Sequence, residues 1–235
     1  MAKRNRGKHP NDDKYFGKKW IPIFKEAVDD HSYLLTRGYS PNSALQIVGN
    51  RYKLNKHQRQ ALPRISASAD AIISRKKNCC FLKDLKHQTV VIDGFNLLIL
   101  LESAMSGAFI FKGRDGTYRD IASVHGFYKR VQHTRDAILL VGKILQKQKV
   151  KSVKWLLDKP VSNSGRLKSM LLEIAEANQF NWEVELLFNP DKALTKSKHI
   201  VISSDGWILD RAKRWFNLGK ILIEKHLNEV NIFDV

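Results

Sequence analysis

Val90-Val91-Ile92-Asp93-Gly94-Phe95-Asn96 runs an apolar segment of strand length straight into a carboxylate and a glycine-bearing turn. His199-Ile200-Val201-Ile202-Ser203-Ser204-Asp205-Gly206 repeats the design, and Val153-Lys154-Trp155-Leu156-Leu157-Asp158 does so between them. Apolar runs that end in Asp and are spaced by helix-length segments predict a parallel sheet whose acids meet at one edge, where open α/β sheets bind ligands. Acids gathered there repel one another, and a hard cation such as Mg²⁺ relieves the repulsion.

Working outward, the pattern from His87 predicts strand 88–93, helix 96–106, a basic loop 111–119, a long helix 120–148 and strand 152–157. It continues with helix 164–178, strand 181–187, a loop and short turn 188–198, strand 199–203, helix 206–216 and strand 219–223. Alternation of this kind implies right-handed crossovers. Upstream, residues 1–19 are polar and basic without periodicity and predict a disordered arm. Apolar residues then recur at helical spacing from Ile21 to Leu35, and Ser40-Pro41 opens a second helix that stops at Gly49. Asn55 and Gln58 form a capping-box pair that opens a third. This helix-turn-helix-like segment predicts a helical nucleic-acid-binding domain at 20–78, followed by the α/β domain at 87–235. Arg51, Lys56 and Arg59 are its candidate nucleic-acid contacts. Direct DNA reading, general RNA binding and a packing role all remain open for it.

Charge narrows the partners. The 235 residues carry 41 Lys+Arg against 23 Asp+Glu, a net charge of +18. Such a surface suits a polyanion, nucleic acid before an anionic membrane. No apolar run is long enough to span a bilayer, and no apolar segment follows the basic N-terminus as in a secretory signal, so a cytoplasmic protein with no membrane partner is expected. Cys79 and Cys80 are adjacent, which rules out a spaced metal clip and predicts free thiols. Phosphate loops, dinucleotide turns, nucleophile elbows and His-Glu-x-x-His helices are all missing from the sequence.

Several motifs carry a resemblance. Asp93-Gly94-Phe95-Asn96 after a strand resembles the Asp-x-x-Asn opening of the NYN branch of PIN-like nucleases, and Ser203-Ser204-Asp205 resembles their later Ser-x-Asp strand end. Gly113 to Arg130, followed by Trp155-Leu156-Leu157-Asp158, is similar to the flap-endonuclease pattern. The whole chain also resembles an uncharacterised two-part prokaryotic family pairing a small helical domain with a PIN-like one. The superfamily resemblance covers roughly residues 87–225. It implies a PIN-like sheet, Mg²⁺ or Mn²⁺ as cofactor, and Asp93, Asp158, Asp191 and Asp205 as metal-binding acids, the first, second and fourth being catalytic. Asp210 is a further candidate, and Glu102 and Asp120 are alternatives for a helix-borne acid. The segment between Asp191 and His199 is shorter than the family's helix there.

Two cations about 3.5–4 Å apart can activate water and stabilise the leaving oxygen of a phosphodiester displacement. Asn96, Lys112, Arg114, Arg119, Lys129 and Arg130 are the candidate groups for holding substrate beside the acids. Each reading has a plainer rival. An isolated Asp after a strand is ordinarily a helix N-cap, Asn96 suits the same role, His125 suits packing or a turn, and Trp155, Trp182, Trp207 and Trp215 suit core or rim positions. The resulting expectation is a metal-dependent endonuclease with RNA favoured. The alternatives are a structure-specific DNA nuclease and a non-catalytic nucleic-acid binder.

Overall fold

The computed structural model describes residues 6–122 and 132–235. It opens with α1 (Asp12–Phe16), a 3-10 turn (Lys18–Trp20), α2 (Ile21–Thr36), α3 (Pro41–Arg51), α4 (Lys56–Ile65) and α5 (Ala69–Asn78). After a second 3-10 turn (Leu82–Leu85) come β1 (Thr89–Asp93), α6 (Gly94–Met105), β2 (Phe109–Lys112), β3 (Tyr118–Arg119), α7 (Thr134–Lys147), β4 (Ser152–Asp158) and α8 (Ser164–Ala177). The chain ends with β5 (Trp182–Leu187), α9 (Pro190–Thr195), β6 (Ile200–Ile202), α10 (Gly206–Leu209), α11 (Leu218–His226) and β7 (Asn231–Phe233). No helix among the described residues is long and apolar enough to cross a membrane.

The α/β expectation holds. Four strands form a parallel sheet in the order β5-β4-β1-β6. Alternate residues feed opposite faces: Val90, Ile92, Trp155, Leu157, Ile200 and Ile202 join the core under α6, α7, α8 and α11. Val91, Leu156 and Val201 face Leu194, Ile208, Leu209 and Trp215 on the other side. Burial on both faces explains why β1, β4 and β6 read as nearly unbroken apolar runs. Gly94 sits where β1 turns into α6, and a Cβ there would lie 2.4 Å from Leu157 Cδ2 and 2.9 Å from the Leu156 carbonyl oxygen. Gly94→Ala should therefore cost about 1–3 kcal/mol, as overpacking does. A lowered urea midpoint with an unchanged m-value checks this.

Four expectations change. The segment 219–223 is not a strand. Despite three branched aliphatics, it lies in α11, where Asn217 Oδ1 accepts the Lys220 N–H at 3.2 Å and Leu218, Leu222 and Ile223 are buried; capping and packing outweigh local β preference. The helix expected over 206–216 stops at Leu209, because Arg214 to Phe216 run extended along β6: the Val201 N–H donates to Arg214 and the Phe216 N–H to Val201. The long helix expected from residue 120 begins only at Thr134, residues 123–131 lying outside the described residues. The basic loop 111–119 contains an antiparallel hairpin, Phe111 opposite Arg119, and β2 also pairs with β7 in a second sheet that the sequence reading missed.

The N-terminal arm also differs from expectation. Structure begins before Trp20, since α1 carries Phe16, buried at 2% exposure against the rings of Phe24, Phe111 and Phe233. The expected helices are present, with Ser40 Oγ capping α3 and the reciprocal Asn55–Gln58 box opening α4. Their apolar faces share one core with Phe111 and Phe233. At the far end of α4, the Arg114 N–H donates to the Ile65 carbonyl at 2.8 Å and Arg119 Nη1 to the Arg64 carbonyl at 2.9 Å. The helical segment thus stands against the edge of the sheet where the acids lie.

Candidate metal centre

Asp93 ends β1 and occupies the N-cap position of α6, yet its side chain makes no capping hydrogen bond. Its Oδ2 instead accepts from Ser203 Oγ at 2.7 Å, across from the end of β6. The ladder brings Ile92 level with Ile202, so Asp93 and Ser203 meet by register. Ser203 Oγ in turn accepts the Asp205 N–H at 3.0 Å. Asn96, one helical turn on, is not a cap either: its Oδ1 accepts both the backbone N–H of Ser204 at 2.8 Å and the Ser204 hydroxyl at 2.9 Å. Asn96 therefore ties the β1–α6 turn to the β6–α10 turn, a positioning role. Asp205 does behave as a cap, its Oδ1 accepting from Trp207 N at 2.8 Å and Ile208 N at 3.3 Å.

Asp158 at the end of β4 and Asp191 in the first turn of α9 complete the group. The short segment before His199 does form a helix, begun by Asn189 Oδ1 accepting the Lys192 N–H. Asp93, Asp158, Asp191 and Asp205 line one cavity of about 250 Å³, with Asn96, Ser204, Arg64, Arg119 and Asp120 also on its wall. Burial, with smaller contributions from the charges of Asp191, Asp205 and Asp158, pushes Asp93 up to about 7 against the opposing Ser203 hydrogen bond. Asp158 is raised by burial and by Asp191, and Asp191 by burial and by Asp205. Burial also lifts Asp120 to about 6 although Arg64 pulls the other way.

None of the ion pairs among the described residues includes Asp93, Asp158, Asp191 or Asp205. Carboxylates gathered at one cavity with no ion pair among the described residues are a donor set for a hard cation. No three of the four have oxygens within 4.8 Å of one another among the described residues. That spread suits Mg²⁺, which keeps several waters and takes only one or two carboxylates. It does not suit a closed, all-protein cage.

Other candidates fall elsewhere. Asp210 is outside the cavity lining, its Oδ1 held by Arg75 Nε at 2.7 Å. Glu102 is fully buried and bound to Arg6 Nε at 2.6 Å and the Thr134 hydroxyl at 2.5 Å. Lys112 pairs with Asp234, and Arg114 with Asp29. Arg119 reaches the cavity but is committed to structure: its Nε donates to the Ser204 carbonyl at 2.6 Å and its Nη2 to Asp115 Oδ2 at 2.6 Å. In the helical segment Arg51 lies beside Asp30, and Arg59 is spent on the Leu54 carbonyl and Asn50, leaving Lys56 exposed. Lys129, Arg130 and His125 lie outside the described residues.

The sequence reading missed two residues that build the site and one exposed ring near Asp191 in the chain. Arg64, in the last turn of α4, lines the acid cavity because the end of that helix docks there. Asp115 accepts from Arg75 Nη1 and Arg119 Nη2, each at 2.6 Å, anchoring both arginines behind the site. Phe188, just after β5, is an exposed ring with Lys159 Nζ 4.7 Å from its centroid. An aromatic followed by Asn189-Pro190 at a strand end was its only sequence signal.

Fold and site define an α/β protein with a parallel sheet, an acid-lined cavity at the carboxyl edge of its strands and helices packed against that edge. The chain belongs to the family described as a domain of unknown function (DUF5616), whose model matches residues 82–221. A second family model, described as a protein of unknown function (DUF434), matches residues 23–78. An uncharacterized protein of Methanocaldococcus jannaschii is 38% identical over 185 residues, covering 79% of this chain and 88% of that one. No solved structure matches the chain.

Proposed function

We propose that this protein is a PIN-like, Mg²⁺- or Mn²⁺-dependent endonuclease of the cytoplasm that cuts RNA. The observation that carries the reading is the convergence of Asp93, Asp158, Asp191 and Asp205 on one cavity, without ion-pair partners among the described residues, in a chain of net charge +18. Bound among these carboxylates, Mg²⁺ or Mn²⁺ supplies Lewis-acid charge to phosphate oxygens and lowers the pKa of attacking water. Asp93 and Asp158 offer carboxylates to the cation from the ends of β1 and β4, Asp191 from the first turn of α9 and Asp205 from the N-cap of α10. The Ser203, Asn96 and Ser204 bonds hold the β1–α6 and β6–α10 turns in mutual register, so Asp93 and Asp205 are positioned before substrate arrives. Arg64 offers the cavity wall a cation for a backbone phosphate that the acids alone would repel.

Single-stranded substrate is supported by exposed rings close in sequence to the acids. Trp207 is 47% exposed with the Arg211 guanidinium 4.4 Å from its ring centroid, and exposed Phe188 carries Lys159 in the same way. Exposed rings paired with cations are what base stacking along a phosphate backbone uses. RNA is placed ahead of DNA on the NYN-like Asp93 to Asn96 motif.

The test is to incubate the full chain with labelled single- and double-stranded RNA and DNA in Mg²⁺, Mn²⁺ or chelator. Cleavage of single-stranded RNA with either metal and none in chelator is expected. Trp207→Ala should weaken single-strand binding by about 1–3 kcal/mol, read as an increase in Kd. Cutting confined to branched DNA would turn the reading to a structure-specific DNA nuclease. Metal-independent binding with no cutting of any substrate would leave a non-catalytic nucleic-acid binder.

A further inference from the structure

A second constellation lines a separate cavity that shares Asp120 with the first. His9, Asp12 and His57 each offer a ligand atom, and the three atoms lie within 4.8 Å of one another. Asp12 is 5% exposed, and one of its oxygens, Oδ1, is buried with no hydrogen-bond partner, as is His57 Nδ1. The two orphaned atoms face each other at 3.6 Å, too far for a hydrogen bond. The other Asp12 oxygen accepts the His9 N–H at 2.8 Å, which fixes the carboxylate, and the two imidazoles stand with centroids 4.5 Å apart. All three side chains line a cavity of about 270 Å³, and the Arg6 that shares it is engaged by Glu102.

Leaving a buried carboxylate oxygen and an imidazole nitrogen unpaired costs on the order of 1–3 kcal/mol each. A proton on His57 would supply charge but no bond at that distance. One divalent cation between them satisfies both atoms and the His9 ring together. We propose that His9, Asp12 and His57 form a transition-metal site, of zinc class, separate from the acid cavity. Two imidazoles and one carboxylate are borderline ligands that favour zinc over Mg²⁺, which the all-oxygen acid cavity prefers. Three protein ligands leave a fourth position open toward the cavity. His9 comes from the segment leading into α1, Asp12 is the first residue of α1 and His57 lies in the first turn of α4, so the ion clasps the chain's N-terminal segment onto the helix that carries Arg64.

The experiment titrates chelator-treated full-length protein with Zn²⁺ while saturating Mg²⁺ occupies the acid cavity. One Zn²⁺ per chain is expected, with X-ray absorption showing imidazole scattering and hydrogen exchange slowed in residues 6–16. Asp12→Asn keeps an acceptor for the His9 N–H, and His9→Ala alters a surface residue, so both preserve the fold; circular dichroism checks that. Each should weaken Zn²⁺ on the order of 100-fold, the upper end of what even indirect ligand support contributes. Asp93→Asn should bind Zn²⁺ as the wild type does. Absence of Zn²⁺ binding, a spectrum without imidazole, or Zn²⁺ retained in both Asp12→Asn and His9→Ala would overturn the proposal. Loss in Asp93→Asn alone would do so too, by assigning the ion to the acid cavity.

Discussion

Asp93→Asn is expected to abolish metal-dependent cleavage while making the metal-free protein more stable at pH 8. Cleavage is lost because the substitution removes a ligand charge from the most buried of the four acids and little volume. The gain in stability follows from linkage. Asp93 titrates near 7 in the folded chain against about 3.9 in an unfolded one. The folded state therefore holds its proton more tightly, and stability falls as pH rises from about 4 through about 7, the penalty being complete above that. At about 1.4 kcal/mol for each pH unit the ceiling on the recovered penalty is about 4 kcal/mol. That ceiling corresponds to about 8–16 °C in Tm for a chain of this size. Asn Oδ1 can still accept the Ser203 hydroxyl that Asp93 Oδ2 accepts at 2.7 Å, so no partner is orphaned. Thermal unfolding in chelator at pH 8 and again near pH 4 checks this, since the difference between variant and wild type should vanish at the lower pH. An Asp93→Asn protein less stable at both pH values would mean that the carboxylate serves the fold and not a cation.

Asp115→Ala should be strongly destabilising and should carry loss of activity with it. Burial alone would raise this carboxyl, but the charge and hydrogen bonds of Arg119, then Thr117 and Arg75, outweigh it and hold it well below the usual carboxylate range. Removing it leaves two nearly buried guanidinium groups, at 8% and 6% side-chain exposure, facing each other without their shared partner. Breaking a buried pair in this way costs about 3–5 kcal/mol. The damage reaches the cavity because Arg119 also donates to the Ser204 carbonyl, and Arg75 donates to Asp210 and the Gly206 carbonyl in the turn that presents Asp205. With a depressed folded pKa, the stability Asp115 provides is fully present above about pH 4 and is lost as pH falls through the lower folded value. The gap between wild type and Asp115→Ala in urea midpoint should therefore be widest at neutral pH and narrow in acid. A gap independent of pH would assign the loss to packing instead of charge.

Both predictions depend on how the strands align, and that was largely legible in the chain. A strand buried on both faces needs apolar residues throughout, so Val90 to Ile92, Trp155 to Leu157 and Ile200 to Ile202 announce themselves. In a parallel sheet their carboxyl ends lie on one side, which brings Asp93, Asp158 and Asp205 to the same edge. The capping residues Ser40 and Asn55 act within three residues of themselves, so local sequence was enough to place α3 and α4.

What escaped the sequence was decided between segments far apart. The apolar run at 219–223 carries no local mark telling helix from strand, and packing beneath α6 chose helix. Phe16 is one apolar residue in a polar segment, and only the pocket formed with Phe24, Phe111 and Phe233 orders the chain around it. The arginines read the same as a string, since each is one more cation in a basic protein. Tertiary contacts turned Arg114 toward Asp29, spent Arg119 on Asp115 and the Ser204 carbonyl, and carried Arg64 to the acids. A strand's apolar pattern and a helix cap are properties of neighbours in the chain, which one sequence states on its own. Whether a charge is spent in the fold or faces the cavity depends on partners that only folding brings near: Arg75 lies 40 residues from Asp115 and Ser203 lies 110 from Asp93.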